Sequence, residues 1–166
     1  MSADNKDLVL DRIHAIGIPL LLYIIIVIAG DEFFARGVIE WGDTAAASSG
    51  VLPGRSLVIA WAAIYLLPGI SLFFYLYTAE KMPSLWLILS LYFLHGIIHC
   101  GWTNAFFFRN SMELAMTSSV LSGATVVVIM LFTWSSSRIS SLLIAPYLIW
   151  ASLVTYFTYN AYRFSA

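Results

Sequence analysis

The stretch "LLIAPYLIWASLVTYFTYNAYRFSA", residues 142–166, carries no charge before Arg163, and the uncharged run that it closes extends from Ile139 to Tyr162. That exceeds the roughly 18 to 20 apolar residues that a helix needs to cross a bilayer core. Lipid offers no partner for backbone amides, so a segment of this kind must close its own hydrogen bonds, and a helix does so within one segment. Four more uncharged runs share the pattern: Ile13 to Gly30, Ser56 to Ala79, Met82 to Phe108 and Leu114 to Ser137. Strands of a barrel would be about half as long and would alternate in polarity. The chain therefore reads as an all-α membrane protein, a five-transmembrane-helix bundle in one domain, with spans near 13–30, 57–78, 84–108, 114–134 and 139–162 and a long loop at 31–55.

Composition supports this reading. Of 166 residues, 61% are hydrophobic and 10% charged, with a mean hydropathy of +0.88, where soluble domains carry roughly 25% charged residues. A net charge of -1 and the absence of any Lys/Arg cluster argue against a nucleic-acid partner. The single cysteine, Cys100, excludes an internal disulfide. Lys6 and Arg12 ahead of an apolar run closing on Val27, Ile28 and Ala29 resemble a signal peptide, but the run is read as a retained span. Basic residues do not orient the bundle: Lys6, Arg12, Lys81 and Arg138 fall on one side, and Arg36, Arg55, Arg109 and Arg163 on the other.

In the third span Tyr92, His95, His99, Trp102 and Phe106 recur at steps of three and four, forming one helical stripe. Imidazoles at mid-membrane depth are costly unless they face the bundle interior, a partner or a water-filled cavity, so they mark a functional hypothesis. Three readings compete: a metal pair, helix-bridging polar groups, and the polar wall of a ligand pocket. A metal needs further ligands, and no carboxylate lies inside the spans; no metal site is expected. Trp61, Tyr65, Pro68 and Leu72 share a face of the second span, with Pro68 expected to kink it. In the fourth span Ala115, Ser119 and Gly123 are spaced for close helix approach, with Ser118 and Ser122 alongside. The long loop joins an acidic aromatic part, "DEFFARGVIEW", to a small-residue part, "GDTAAASSGVLPG"; such a loop is either a cover over a site or a solvated connector.

The fifth span's Pro146, Tyr147, Leu148 and Trp150 match a Pro-Tyr-Leu-x-Trp motif. In this the chain resembles the translocator protein family, also called tryptophan-rich sensory proteins or peripheral-type benzodiazepine receptors. "AWAAIY", with Trp61 and Tyr65, is similar to that family's second helix, and "HGIIHCGWTNAFF", with Trp102, Phe106 and Phe107, to its third. The chain departs from the family pattern at His95 and His99, where Gln and Asn are frequent, and at Phe157 and Thr158, where a Leu-Asn pair stands.

The resemblance implies a multi-pass integral membrane protein of a prokaryotic envelope or mitochondrial outer membrane. It is usually a homodimer, with a pocket open toward the first loop that binds planar hydrophobic molecules such as porphyrin, haem or sterol. Aromatic walls suit such ligands, and the expected ligand-binding residues are Trp61, Tyr65, Tyr92, His95, His99, Trp102, Phe106, Tyr147, Trp150 and Phe157. An imidazole could serve a bound haem as axial ligand, though no cofactor is obligatory. Val154, Tyr159 and Arg163 have the spacing proposed for sterol contact, a weak pattern beside the ordinary role of Tyr and Arg as interfacial anchors. The alternative is an accessory subunit whose aromatic stripes pack on membrane partners. Without a nucleophile-base pair or catalytic carboxylates in the spans, enzymatic chemistry is not expected.

Overall fold

The computed structural model describes residues 14–30, 54–78 and 85–165, apart from the side chains of 54–62, 161, 164 and 165. The N-terminal segment, most of the long loop, and Trp61's side chain lie outside the described residues.

Helix α1 is His14–Gly30, α2 is Gly54–Thr78, and α3 is Leu85–Thr103, which passes into a π-helical turn at Asn104–Phe108. After a turn comes α4, Met112–Trp134, then α5, Arg138–Ile144, and α6, Pro146–Ser165. The last two make up one crossing, interrupted where Pro146 has no amide to donate. Ala145 N–H instead reaches Leu142 O at 3.3 Å, and Leu148 N–H bonds Ala145 O at 3.0 Å. The protein is thus an all-α bundle with five membrane helices. Leu85–Phe108, Met112–Trp134 and Arg138–Asn160 are each long and apolar enough to span a bilayer.

The outside of the bundle is apolar, with Trp86 78% exposed and Leu131 71% exposed. An apolar surface this extensive belongs against lipid, since water-soluble monomers rarely show contiguous patches beyond a few hundred Å². Polar side chains are turned inward: Ser71, His95, His99, Ser119, Ser122, Ser140 and Thr158 are buried. Helix α3 packs on α4, α4 on α6, and α2 on α5. Small residues permit these approaches, because a Cβ on Gly123 of α4 would stand 3.4 Å from Ala151 Cβ of α6, and one on Gly96 of α3 3.0 Å from Ile26 Cγ2 of α1.

The π turn widens the end of α3, with Arg109 N–H bonded to Asn104 O at 3.1 Å and Ser111 N–H to Ala105 O at 3.0 Å. Asn110 closes it at φ 49°, a left-handed conformation that Asn adopts more readily than most residues. Helix α5 starts at Ser137, whose hydroxyl accepts from Ser140 N–H at 3.4 Å.

Candidate functional site

All five residues of the α3 stripe are buried, so the three- and four-residue steps turn it wholly inward. It is divided between two polar clusters. At one end Tyr92 Oη lies 2.6 Å from Ser71 Oγ of α2 and 3.1 Å from Ser140 Oγ of α5, while Ser71 Oγ donates to Ser140 O at 2.7 Å. Tyr23 of α1 meets the Tyr92 ring edge-on at 6.3 Å. This cluster holds four helices and leaves no opening beside the Tyr92 hydroxyl, which is fully buried.

The second cluster lines a cavity between α3, α4 and α6. Its walls are His99 and Trp102 from α3, Ser119 and Ser122 from α4, and Tyr147, Trp150, Ala151 and Val154 from α6. Tyr147 Oη is 2.8 Å from His99 Nδ1 and 2.9 Å from Ser122 Oγ. His95 stands behind the wall with Nδ1 3.2 Å from Ser122 Oγ, its ring edge-on to Tyr147 at 4.5 Å. From α2, Tyr65 meets the His99 ring edge-on at 4.9 Å.

Trp102 is fixed on two sides. Its Nε1–H donates to Thr158 Oγ1 at 3.3 Å, and its ring stacks on Phe106 at 5.2 Å, so Phe106 supports the wall from behind. Thr158 is fully buried, whereas its neighbour Phe157 is 38% exposed on the outer face. Continuing Tyr147, Trp150 and Val154 by four leads to Thr158, a signal the spacing of α6 contains. Ser119 and Ser122 carry a comparable one: small residues chosen for close packing also bring hydroxyls into the cavity, and Thr155 Oγ1 donates to Ser119 Oγ at 2.9 Å.

Val154 and Tyr159 do not face one place. Val154 lines the cavity, while Tyr159 and Arg163 are exposed near the end of α6. Cys100 is turned toward α1, where its Sγ–H donates to Ile26 O at 3.0 Å. Among the described residues, no three His, Cys, Asp or Glu side chains gather as metal ligands.

The cavity is tight, about 10 Å³, the room one water molecule needs. Its lining is mixed: two indoles, a phenol ring and aliphatic groups, with the hydroxyls of Ser119, Ser122 and Tyr147 and one imidazole. The TspO/MBR family profile matches residues 15–163 of the chain. The tryptophan-rich protein TspO of Bacillus cereus is similar, at 24% identity over 123 residues that cover 74% of this chain and 78% of that protein.

Proposed function

The chain belongs to the TspO/MBR family, and on that premise we propose that it is a membrane receptor or transporter. Its ligand is a planar hydrophobic molecule of the tetrapyrrole class, held in the cavity between α3, α4 and α6. The observation that carries this reading is the convergence of Trp102, Tyr147 and Trp150 with His99 on one buried cavity. Aromatic faces bind planar rings by stacking and by area burial together, at about 0.5–1.5 kcal/mol per aromatic pair beyond the burial itself. Ser119, Ser122 and Tyr147 supply hydroxyls for the polar edge of such a ligand.

Drug-sized ligands occupy roughly 300–1,000 Å³, far more than the present cavity of about 10 Å³. Binding in this reading therefore separates α6 from α3. The interruption at Ala145, where α5 hands over to α6 without a continuous amide ladder, supplies a joint for that movement.

Haem fits the donor chemistry better than the metal-free ring. His99 lines the cavity and its Nδ1 is engaged by Tyr147, and where an imidazole does ligate a metal its other nitrogen is usually held by a hydrogen bond of this kind. When bound, haem would bring an iron centre for that nitrogen, while Tyr147 would hold the ring's orientation. Sterol is the second ligand class in this reading, and Val154 is the only member of the sterol-spaced set within the cavity.

Titration of the purified protein with haem and with protoporphyrin, followed by tryptophan fluorescence, tests the proposal. The expected result is saturable quenching, weakened about tenfold in Trp102→Ala or Trp150→Ala, which is about 1.4 kcal/mol. Non-saturable quenching, or quenching equal in all three proteins, would overturn it.

The tightness of the cavity favours a second reading, an accessory subunit whose lipid-facing aromatics pack on larger partners. A stable larger complex after mild detergent extraction, together with no ligand titration, would select it.

A further inference from the structure

Three hydrogen bonds run in series through the core: His95 Nδ1 to Ser122 Oγ at 3.2 Å, Ser122 Oγ to Tyr147 Oη at 2.9 Å, and Tyr147 Oη to His99 Nδ1 at 2.8 Å. Each requires one proton between its heavy atoms, and each of the two hydroxyls brings one. The third proton has to come from an imidazole Nδ1. Other hydroxyls of helix α4 are used differently, since Thr117, Ser119 and Thr125 donate back to carbonyls of their own helix. Among the described residues, the bonds of Ser122 Oγ go to side chains alone.

Two proton arrangements complete the series with both hydroxyl protons kept inside it. When Ser122 donates to Tyr147, Tyr147 donates to His99 and His95 supplies its Nδ1–H. When Tyr147 donates to Ser122, Ser122 donates to His95 and His99 supplies its Nδ1–H. A neutral imidazole has one N–H, so His99 carries it on Nε2 in the first arrangement and on Nδ1 in the second, with His95 the reverse. No carboxylate is hydrogen-bonded to either ring through Nδ1 among the described residues, and a charged ring there would carry the desolvation cost of a buried ion.

We infer that His95, Ser122, Tyr147 and His99 form one proton-ordered chain in which the tautomers of the two histidines are opposed and reverse together. His95, which is not part of the cavity wall, is then a positioning residue. It decides whether the edge of His99 opposite Tyr147 is a lone pair or an N–H, and Ser122 is the joint that transmits the choice. The consequence for ligand selection rests on the pocket reading: a metal or a donor brought to His99 favours one arrangement, and an acceptor favours the other.

Nitrogen-15 NMR of histidine-labelled protein in lipid nanodiscs distinguishes protonated from unprotonated ring nitrogens, with His14→Gln removing the third histidine's signals. Without any ligand, the expected result is one core ring protonated at Nδ1 and the other at Nε2, or under rapid exchange two Nδ1–H populations that sum to one. Both rings protonated at Nε2 overturns the inference, because the series then lacks its third proton, and both rings protonated at Nδ1 overturns it too, because one hydroxyl proton then lies outside the series. Cutting the chain with Ser122→Ala, or with Tyr147→Phe if the first variant folds poorly, is expected to abolish the complementarity of the two populations. Its persistence in a folded variant overturns the inference as well. Added haem is expected to move His95 to the Nε2–H form in the wild type and to leave it unmoved in Ser122→Ala. If haem fails to bind while opposed tautomers persist, the pocket reading fails and the proton chain stands.

Discussion

Tyr147 Oη lies 2.8 Å from His99 Nδ1, so the first residue after the helix-breaking proline of α6 is hydrogen-bonded to the buried stripe of α3. The same hydroxyl reaches Ser122 on α4 at 2.9 Å, and three helices thereby meet at one oxygen.

Tyr147→Phe keeps the ring and removes that oxygen. Unsatisfied buried polar groups cost about 1–3 kcal/mol each, but interhelical hydrogen bonds in membranes average nearer about 0.6 kcal/mol, because freed groups find other partners. The expected loss is about 1 kcal/mol in thermal or denaturant unfolding in detergent, with a weaker haem titration. Unchanged haem binding in a folded variant would remove Tyr147 from the site.

Tyr92→Phe separates structure from binding. Its hydroxyl joins α2, α3 and α5 through Ser71 and Ser140, and it lies outside the cavity wall. The variant is expected to lose stability on the order of 1 kcal/mol and to bind porphyrin as the wild type does. A ligand titration that shifts while stability holds would place Tyr92 in the pocket.

Thr158→Val and Phe157→Ala are adjacent on α6 and are expected to behave oppositely. Thr158 accepts from Trp102 Nε1 at 3.3 Å, so its loss frees an indole of the cavity wall and weakens ligand binding several-fold. Phe157 is 38% exposed, and its truncation on the outer face is expected to stay within about 0.5 kcal/mol with binding unchanged. Equal effects on the titration would contradict this division.

Gly30 and Cys100 set the approach of α1 to α3. A Cβ on Gly30 would stand 2.8 Å from Cys100 Sγ, so Gly30→Ala forces α1 outward or turns the thiol away from Ile26 O. The expected cost is about 1–3 kcal/mol. Cys100→Ala in the same chain should restore most of it, which unfolding of the two variants side by side would measure.

The fold class was legible because so few residues are charged that uninterrupted apolar runs mark the helices directly. The inward face of α3 was legible too, since Tyr92, His95, His99, Trp102 and Phe106 keep helical steps and two imidazoles against lipid are costly. The π turn at Asn104–Phe108 was not, because it arises from backbone hydrogen bonding for which no side chain there gives a signal. Splitting the stripe was equally out of reach. Tyr92 and His99 share a face, but their partners, Ser140 and Tyr147, lie on opposite sides of the Ala145 interruption. Phe157 stood out as an aromatic beside Thr158 where the family pattern has a Leu-Asn pair, yet its position on the helix puts it on the outer face, and the inward place goes to Thr158.

The most direct test is an experimental structure of the protein with protoporphyrin bound. The expected result is a ring between α3 and α6, in contact with Trp102, Tyr147 and Trp150, with α6 displaced about the Ala145 joint. A ring seated on the lipid-facing surface, with Tyr147 and His99 still closed over an unchanged cavity, would contradict it.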